Sequence, residues 1–210
     1  GELFENSELN FTKQEFLNEV ENYPLPSYVK RIEGRRYALE GFLFPDTYHF
    51  DKESTQKTVI DTMIKRFEEI LSTIQKELNI VVEEDKIDEI VTMASIVERE
   101  IIHDDERAKA ASVFYNRLNV GMPLQSCATV IYALGYHKEV LYYSDLEVDS
   151  KYNTYKYGGL PIGPIASPGK ESIKAAINPD DTDYLYFILN DETNYHYFFN
   201  NYKDFLKQKD

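Results

Sequence analysis

The sequence predicts an α+β fold, in which a helical body carries a small antiparallel β-sheet. Apolar residues recur at helical spacing through three segments between residues 54 and 118. Near the C-terminus, two short runs rich in tyrosine and phenylalanine flank a polar loop, which is typical of a β-hairpin. The chain has 210 residues and is 42% hydrophobic, so it is long enough to bury a core without disulfide bonds.

The N-terminal half is predicted to be mainly helical. Residues 11–22 begin with a capping box, in which Thr12 is the candidate N-cap and Glu15 its partner three residues on, and Pro24 ends this helix. The periodic segments that follow are predicted as three further helices, at 54–78, 86–102 and 106–118. Gly121 stops the last of them.

Glycine and proline shape the rest of the chain. Residues 37–50 carry Gly41 and Pro45 inside an apolar run, which favours a strand or a buried loop over a helix. A loop rich in glycine, proline and tyrosine extends from residue 123 to residue 169. The C-terminal elements are then predicted as a short helix at 171–177 and strands at 183–189 and 195–199.

Charge and composition exclude several functional classes. The chain has 37 acidic and 23 basic residues, and a net charge of −14 disfavours binding to nucleic acid or anionic lipid. The single cysteine excludes a disulfide scaffold and a cysteine-type zinc site. The sequence also lacks a glycine-rich phosphate loop, a Gly-Xaa-Ser-Xaa-Gly motif and any run of about 18 apolar residues. We therefore expect no cofactor, no metal and no membrane-spanning segment within these residues.

The most informative segment is the helix at 86–102, which places a glutamate on its apolar side. At about 100° per residue, Glu98 falls among the apolar residues, whereas Glu100 points about 200° away from it. A carboxylic acid kept protonated near neutral pH can act as a general acid. The pattern fits equally well a structural ion pair between Glu98 and an arginine, such as Arg107 or Arg117.

Two other candidates carry less weight. Cys127 as a nucleophile would need a nearby histidine, and His137 is the closest in sequence, so a small buried cysteine is the favoured interpretation. The segment 103–106 has side chains of metal-ligand type but no recognised metal spacing. This favours a solvated turn that caps the next helix.

Five sequence segments, taken in order, are distributed over nearly the whole chain, from residue 39 to residue 187. They are Leu39–Tyr48 (LEGFLFPDTY), Met93–Glu100 (MASIVERE), Ala111–Thr129 (ASVFYNRLNVGMPLQSCAT), Tyr152–Gly169 (YNTYKYGGLPIGPIASPG) and Ala175–Phe187 (AAINPDDTDYLYF). Together they resemble the endolytic murein transglycosylase family, also called YceG-like. The resemblance implies a YceG-like catalytic domain.

The resemblance also implies an activity. Lytic transglycosylases cut peptidoglycan strands between N-acetylmuramic acid (MurNAc) and N-acetylglucosamine (GlcNAc) without consuming water, and they leave anhydro-MurNAc ends. In this sequence the family's ASI-Xaa-Glu motif points to Glu98 as the catalytic acid. Glu100 and Asn116 are secondary candidates. Cys127 departs from the pattern, because the family commonly has aspartate there.

Substrate-binding residues are expected in the two polar loop segments of the resemblance. The candidates for binding sugar hydroxyl and acetamido groups are Gln125, Ser126, Thr129, Tyr152, Asn153 and Tyr155. The alternative is that these side chains form hydrogen bonds within the loops.

The resemblance further predicts domains, location and partners. Residues 1–38 would form an N-terminal helical segment, at most the end of a LysM-like region, and residues 39–210 the catalytic domain. The sequence starts at Gly1 without an initiator methionine, so we expect a fragment or processed chain. The full protein would act on nascent glycan at the extracytoplasmic face of the cytoplasmic membrane, anchored by a helix outside this sequence, with cell-wall synthesis proteins as partners.

Two other functions stay open at this point. One is a non-catalytic module that binds peptidoglycan as a scaffold. The other is a glycoside hydrolase with two carboxylates, in which Asp104 or Asp105 would be the second acid.

Overall fold

A computed structural model of the chain describes residues 9–209, and residues 1–8 and 210, with the predictions made for them, lie outside it. The described part contains seven α-helices and one two-stranded antiparallel sheet, which confirms the predicted α+β class. The helices are α1 Lys13–Asn22, α2 Gln56–Leu78, α3 Ile87–Glu100, α4 Asp104–Asn119, α5 Cys127–Leu134, α6 Lys170–Ile177 and α7 Tyr202–Lys209. The strands are β1 Tyr186–Leu189 and β2 His196–Phe199.

The predicted capping box starts α1. The backbone N–H of Glu15 donates to Thr12 Oγ1 at 3.2 Å, and the N–H of Thr12 donates to Glu15 Oε2 at 2.7 Å. These bonds satisfy donors that the first helical turn leaves free. The helix then buries Phe16 and Val20 in the same apolar core as the rest of the described chain. The domain boundary between residues 38 and 39 stays a prediction.

Helix α3 occupies the centre of the fold. The five consecutive residues Met93–Val97 are all fully buried, so this helix has no solvent-facing side in its middle turns. It contacts α4, α5 and α6. A helix that is apolar all round belongs in a core. Its last residue, Glu100, therefore stands at the end of a helix that packing against three others holds in place.

Residues 37–50 form a buried loop and not a strand. Leu39, Phe42 and Phe44 are buried in the core. Gly41 has φ of +88°, and a Cβ built there would lie 2.7 Å from both Val91 and Pro164. Only glycine fits a left-handed backbone so close to its neighbours. The loop thereby packs directly onto α3.

The β-hairpin is the predicted one with shorter strands. Tyr186 pairs with Phe199 and Leu189 with His196 in antiparallel register. A buried pair fixes the hairpin to α4, because the N–H of His196 donates to Glu106 Oε1 at 2.8 Å and His196 Nδ1 lies 2.9 Å from Glu106 Oε2. Glu106 is thus a buried residue in the first turn of α4, and the predicted solvated turn at 103–106 is wrong for this residue.

Helices α5 and α7 were not predicted from the sequence. Helix α5 lies inside the region 123–169 that was predicted as a loop, and α7 follows the last predicted strand. Within residues 9–209, no helix has the length and apolar character needed to cross a bilayer.

Candidate active site

A cavity of about 370 Å³ opens where the end of α3 meets the start of α5, the hairpin and α7. Its volume lies in the lower part of the range of ligand pockets in proteins. The residues that line it are Glu100, Phe114, Arg117, Leu124, Gln125, Ser126, Cys127, Tyr155, Tyr186, Phe187, Tyr202 and Phe205. Among these described residues, Glu100 is the one carboxylic acid.

Glu100 is held at the cavity by the N-terminus of α5. Its Oε1 accepts hydrogen bonds from Ser126 Oγ and, at 3.4 Å, from the backbone N–H of Ala128. The N-terminus of α5 thus supplies hydrogen-bond donors that no residue of its own first turn uses. The second oxygen, Oε2, has no protein donor in the described residues. The carboxyl group is therefore oriented with one oxygen anchored and the other available.

Glu98 is bound into the scaffold instead. Its Oε2 accepts from Ser172 Oγ at 2.7 Å, from the N–H of Gly169 at 3.1 Å and from Arg107 Nη1 at 3.3 Å. Arg107 also donates to Asp104 at 2.8 Å. This network, which we call the Glu98 clamp (Glu98, Arg107, Gly169 and Ser172), joins α3, α4 and α6.

The predicted placement of the two glutamates is therefore wrong. We expected Glu98 at a cleft and Glu100 on another side, paired with a basic residue such as Arg107. The structure pairs Arg107 with Glu98 and places Glu100 at the cavity. The helical wheel assumed one buried face, but the middle turns of α3 are buried on every side, so the apolar side of the wheel does not mark the side that carries the cavity. The structural ion pair that the pattern left open is the observed one.

The segment before α5 is strained where it borders the cavity. Gln125 has φ of +51°, in the left-handed region that non-glycine residues rarely adopt. Its N–H donates to the carbonyl of Thr154 at 3.2 Å, and the N–H of Ser126 donates to Thr154 Oγ1 at 3.1 Å. The exposed side-chain amide of Gln125 makes no hydrogen bond within residues 9–209. Strained residues of this kind cluster at functional sites.

Three of the six predicted substrate-binding residues line the cavity: Gln125, Ser126 and Tyr155. The other three are buried and do not line it, and Thr129 shares a hydrogen bond of 2.9 Å with Thr154. Asn153 bonds to backbone carbonyls at 2.7 and 2.9 Å, and the Tyr152 hydroxyl accepts from the N–H of Arg36 at 3.1 Å. Asn153 thus forms hydrogen bonds within its own loop, whereas Thr129 and Tyr152 bond to other parts of the fold; the role of all three in substrate binding stays a prediction.

Asn116, a secondary candidate, also has a scaffold contact. Its Nδ2 donates to the carbonyls of Thr182 and Tyr184 at 2.8 and 3.0 Å. It connects α4 to the segment that leads into the hairpin and does not line the cavity.

Cys127 is exposed at the cavity, contrary to the expected buried position. Its Sγ lies 3.2 Å from the Tyr155 hydroxyl. Burial is the main cause that raises the pKa of Tyr155 well above its ordinary value, and this hydrogen bond is the second. The phenol is therefore neutral at physiological pH and available as a donor.

Sequence reasoning missed Arg117 as a cavity residue. It is buried, and its Nε and Nη1 donate to the carbonyls of Leu185 and Leu124, both at 2.7 Å. Burial lowers the pKa of its guanidinium, and the neighbouring Tyr186, Tyr155 and Glu100 offset only part of this effect. No described carboxylate forms an ion pair with Arg117. Its one signal in the sequence is its position in the third of the five segments, Ala111–Thr129.

The aromatic residues Tyr186, Tyr202 and Phe205 were missed as well. They come from β1 and α7, far along the chain from Glu100, and no local pattern brings them to the cavity. In the part of the chain that the structure describes, no group of three or more His, Cys, Asp and Glu side chains is arranged to hold a metal ion.

Comparisons with known proteins place this fold and cavity in a family. The YceG-like family profile matches residues 5–210, so the chain belongs to the YceG-like family. It is similar to a protein named endolytic murein transglycosylase from Bacillus subtilis (strain 168), with 43% identity over 189 residues that cover 90% of this chain and 50% of that protein. A protein of the same name from Streptococcus pneumoniae (strain D39) is 37% identical over 195 residues, which cover 88% of this chain and 34% of that protein.

A solved structure has the same fold. The crystal structure of a YceG-like protein from Listeria monocytogenes superimposes with a TM-score of 0.78 at 38% identity, over 93% of this chain and 64% of that chain. The chain thus spans half or less of the length of these two curated relatives. The family resemblance seen in the sequence is confirmed.

Proposed function

We propose that this chain is the catalytic part of a lytic transglycosylase that cleaves peptidoglycan strands, with Glu100 as its general acid and base. The observation that carries the proposal is the Glu100 carboxyl, which is anchored through one oxygen and open to the cavity through the other. The names of the relatives support peptidoglycan as the substrate. Because peptidoglycan lies outside the cytoplasm, we further propose that the chain acts there, with cell-wall synthesis proteins as partners.

A single carboxyl group can supply every proton that the reaction moves. Protonated Glu100 gives its proton to the glycosidic oxygen as the bond from that oxygen to C1 of the MurNAc unit breaks. The GlcNAc unit leaves with this proton on its 4-hydroxyl. The 6-hydroxyl of the same MurNAc unit then attacks C1, and its proton returns to Glu100. An anhydro-MurNAc end forms and no water is consumed.

The cavity offers groups that can orient the substrate for this step. The Gln125 amide and the neutral Tyr155 hydroxyl border the cavity beside Glu100. Both can donate to or accept from sugar hydroxyl and acetamido groups. The ionised Glu100 carboxylate would face the positive charge that develops on the sugar in an oxocarbenium-like transition state.

The geometry favours this route over hydrolysis with two carboxylates. Such an enzyme needs a second carboxyl group about 5–9.5 Å from the first. Asp104 and Asp105 lie exposed at the start of α4 and are absent from the described lining of the cavity. Asp104 is also engaged by Arg107. A non-catalytic binding module, in turn, has no need of an acid oriented in this way.

The deciding experiment compares Glu100→Gln, Glu98→Gln and Glu89→Gln on intact sacculi, with anhydro-muropeptides measured by mass spectrometry. Glutamine keeps the shape of Glu100 but has no acidic proton, so we expect its rate to fall by about 10²–10⁴. Glu89, on the exposed side of the same helix, is the matched control and should keep full activity. Loss of activity in Glu98→Gln with an intact fold, and full activity in Glu100→Gln, would instead support the assignment of Glu98. Products without anhydro ends would indicate hydrolysis.

A further inference from the structure

The wall of the cavity that faces α7 is aromatic. Tyr186 from β1 and Tyr202 and Phe205 from α7 contact one another, with ring centroids 5.4 to 5.9 Å apart. All three line the cavity that contains Glu100. We call this group the aromatic wall.

Packing of α7 does not account for Tyr202. Phe205 packs edge-on against Phe199 of β2, at a centroid distance of 6.3 Å, and this contact holds the helix to the hairpin. Tyr202 is 56% exposed, so its ring contributes little buried apolar area to the fold. Large exposed apolar surface inside a cavity is typical of a ligand-binding site.

Arg117 connects the aromatic wall to the acid. Its guanidinium lies 5.6 Å from the centre of the Tyr186 ring, and its Nη1 donates to the carbonyl of Leu124, next to Gln125. The two backbone carbonyls fix its orientation but use only part of its five N–H donors. A buried cation without a carboxylate partner gains from an additional acceptor in the cavity. Arg117 therefore contacts the aromatic wall through Tyr186 and, through the Leu124 carbonyl, the segment whose Ser126 binds Glu100.

We propose that the aromatic wall and Arg117 form a saccharide subsite, which holds a sugar ring of the glycan strand beside the bond that Glu100 cleaves. This inference rests on the proposed function. The C–H faces of a pyranose ring are apolar and flat enough to pack on aromatic faces. The carbonyl oxygen of an acetamido or lactyl group is a suitable acceptor for Arg117. A sugar is favoured over a stem peptide because the acid must lie within hydrogen-bond reach of a glycosidic oxygen, so the adjoining space receives a ring.

The test measures binding of denuded glycan strands, the GlcNAc–MurNAc polymer without stem peptides, by calorimetry. The chain carries Glu100→Gln throughout, so that the strands stay intact. Tyr202→Ala removes the ring and should raise Kd about tenfold, within the range found for single stacked rings. Tyr202→Phe keeps the ring and should stay within about twofold of the parent Kd, since stacking depends on the aromatic face. Tyr143→Ala, which removes a tyrosine that is 90% exposed and outside the cavity, should leave Kd unchanged.

Three results would overturn the subsite. They are an unchanged Kd in Tyr202→Ala, a failure of the parent to bind denuded glycan, and a loss confined to the binding of free stem peptide. A thermal midpoint of Tyr202→Ala near that of its parent shows that the fold is intact, and Phe205→Leu is the second variant if it is not.

The anhydro-product assay on the unmodified chain separates the two proposals. If the unmodified chain produces anhydro ends and Tyr202→Ala leaves Kd unchanged, the proposed function is kept and the subsite is rejected. If the unmodified chain produces no anhydro ends and Tyr202→Ala raises Kd, the proposed function is rejected and a glycan-binding site is kept. In the active chain, Tyr202→Ala should raise KM about tenfold and change kcat little, because ground-state and transition-state binding weaken together.

Discussion

Replacing Glu98 with alanine should destabilise the fold, because the carboxylate binds three partners on two other elements. The lost contacts are those to Ser172 Oγ at 2.7 Å, to the N–H of Gly169 at 3.1 Å and to Arg107 Nη1 at 3.3 Å. Arg107 is 11% exposed and would lose a countercharge inside the fold. The Glu98 clamp would then no longer join α3 to α4 and α6.

The magnitude follows from exposure and from the contacts that survive. A hydrogen bond to a charged group contributes about 1.5–3 kcal/mol to stability, and breaking a fully buried ion pair costs about 3–5 kcal/mol. The Glu98 side chain is 30% exposed, so water replaces part of the loss. Arg107 keeps its bonds to Asp104 at 2.8 Å and Ser172 at 2.6 Å. We expect a loss of about 2 kcal/mol, which lowers Tm by about 4–8 °C for a chain of this size.

Thermal unfolding followed by circular dichroism at pH 7 measures this loss. Glu89→Ala is the matched control, because Glu89 lies on the same helix, is 50% exposed and contacts only exposed lysines at 3.5 Å. Its stability should change by less than about 0.5 kcal/mol. An unchanged Tm in Glu98→Ala, combined with loss of anhydro products, would refute the reasoning, since it would make Glu98 a chemical group and not a clamp.

Three further predictions concern the cavity and a buried acid. Gln125→Gly removes the side chain from a left-handed position, so urea unfolding should show stability unchanged or raised by up to about 1 kcal/mol while the rate of product formation falls; full activity would exclude Gln125 from substrate binding. Alkylation of Cys127, exposed at the cavity, with iodoacetamide should lower the rate of anhydro-product formation, whereas Cys127→Ser should resist the reagent; complete labelling with an unchanged rate would place the substrate elsewhere. Burial raises the pKa of Glu40 in the folded protein. The folded state is therefore destabilised by ionised Glu40 at a pH above this raised pKa, and this cost vanishes below the unfolded-state pKa of about 4.3. Glu40→Gln, which can keep the hydrogen bond of 3.0 Å from Tyr132, should therefore raise Tm at pH 7, and the gain should shrink as the pH falls towards 4; a gain independent of pH would contradict this cause.

The helices and the hairpin could be predicted from the sequence where their formation depends on residues close together in the chain. The capping box at Thr12, the period of α2 and the aromatic runs of the hairpin depend on neighbours in the chain, and all three are present. The placement of Glu98 and Glu100 depends on what surrounds α3. A wheel divides a helix into an apolar and a polar side, but this helix is enclosed by three others, so both glutamates lie against protein.

The surroundings of each side chain in the fold also decide which of the predicted binding residues line the cavity and which are buried. Three of the side chains expected to bind substrate, Gln125, Ser126 and Tyr155, line the cavity, and their role in binding stays a prediction. Composition does not distinguish a side chain that faces the cavity from a buried one such as Thr129 or Asn153. In the segment before α5 the backbone also turns at Gln125 in a left-handed conformation, and glutamine gives no signal for such a backbone.

The cysteine at position 127 bears on which chemistry this chain can perform. The family resemblance leads one to expect aspartate there, at the first position of α5, where a carboxylate would face the positive end of the helix and accept from Tyr155. The thiol keeps the contact with the Tyr155 hydroxyl, at 3.2 Å, so it can still help to position that ring. It supplies no second carboxylate beside Glu100. A reaction that needs two carboxylates is thereby disfavoured, whereas one in which a single acid donates and recovers its proton requires only what Glu100 provides.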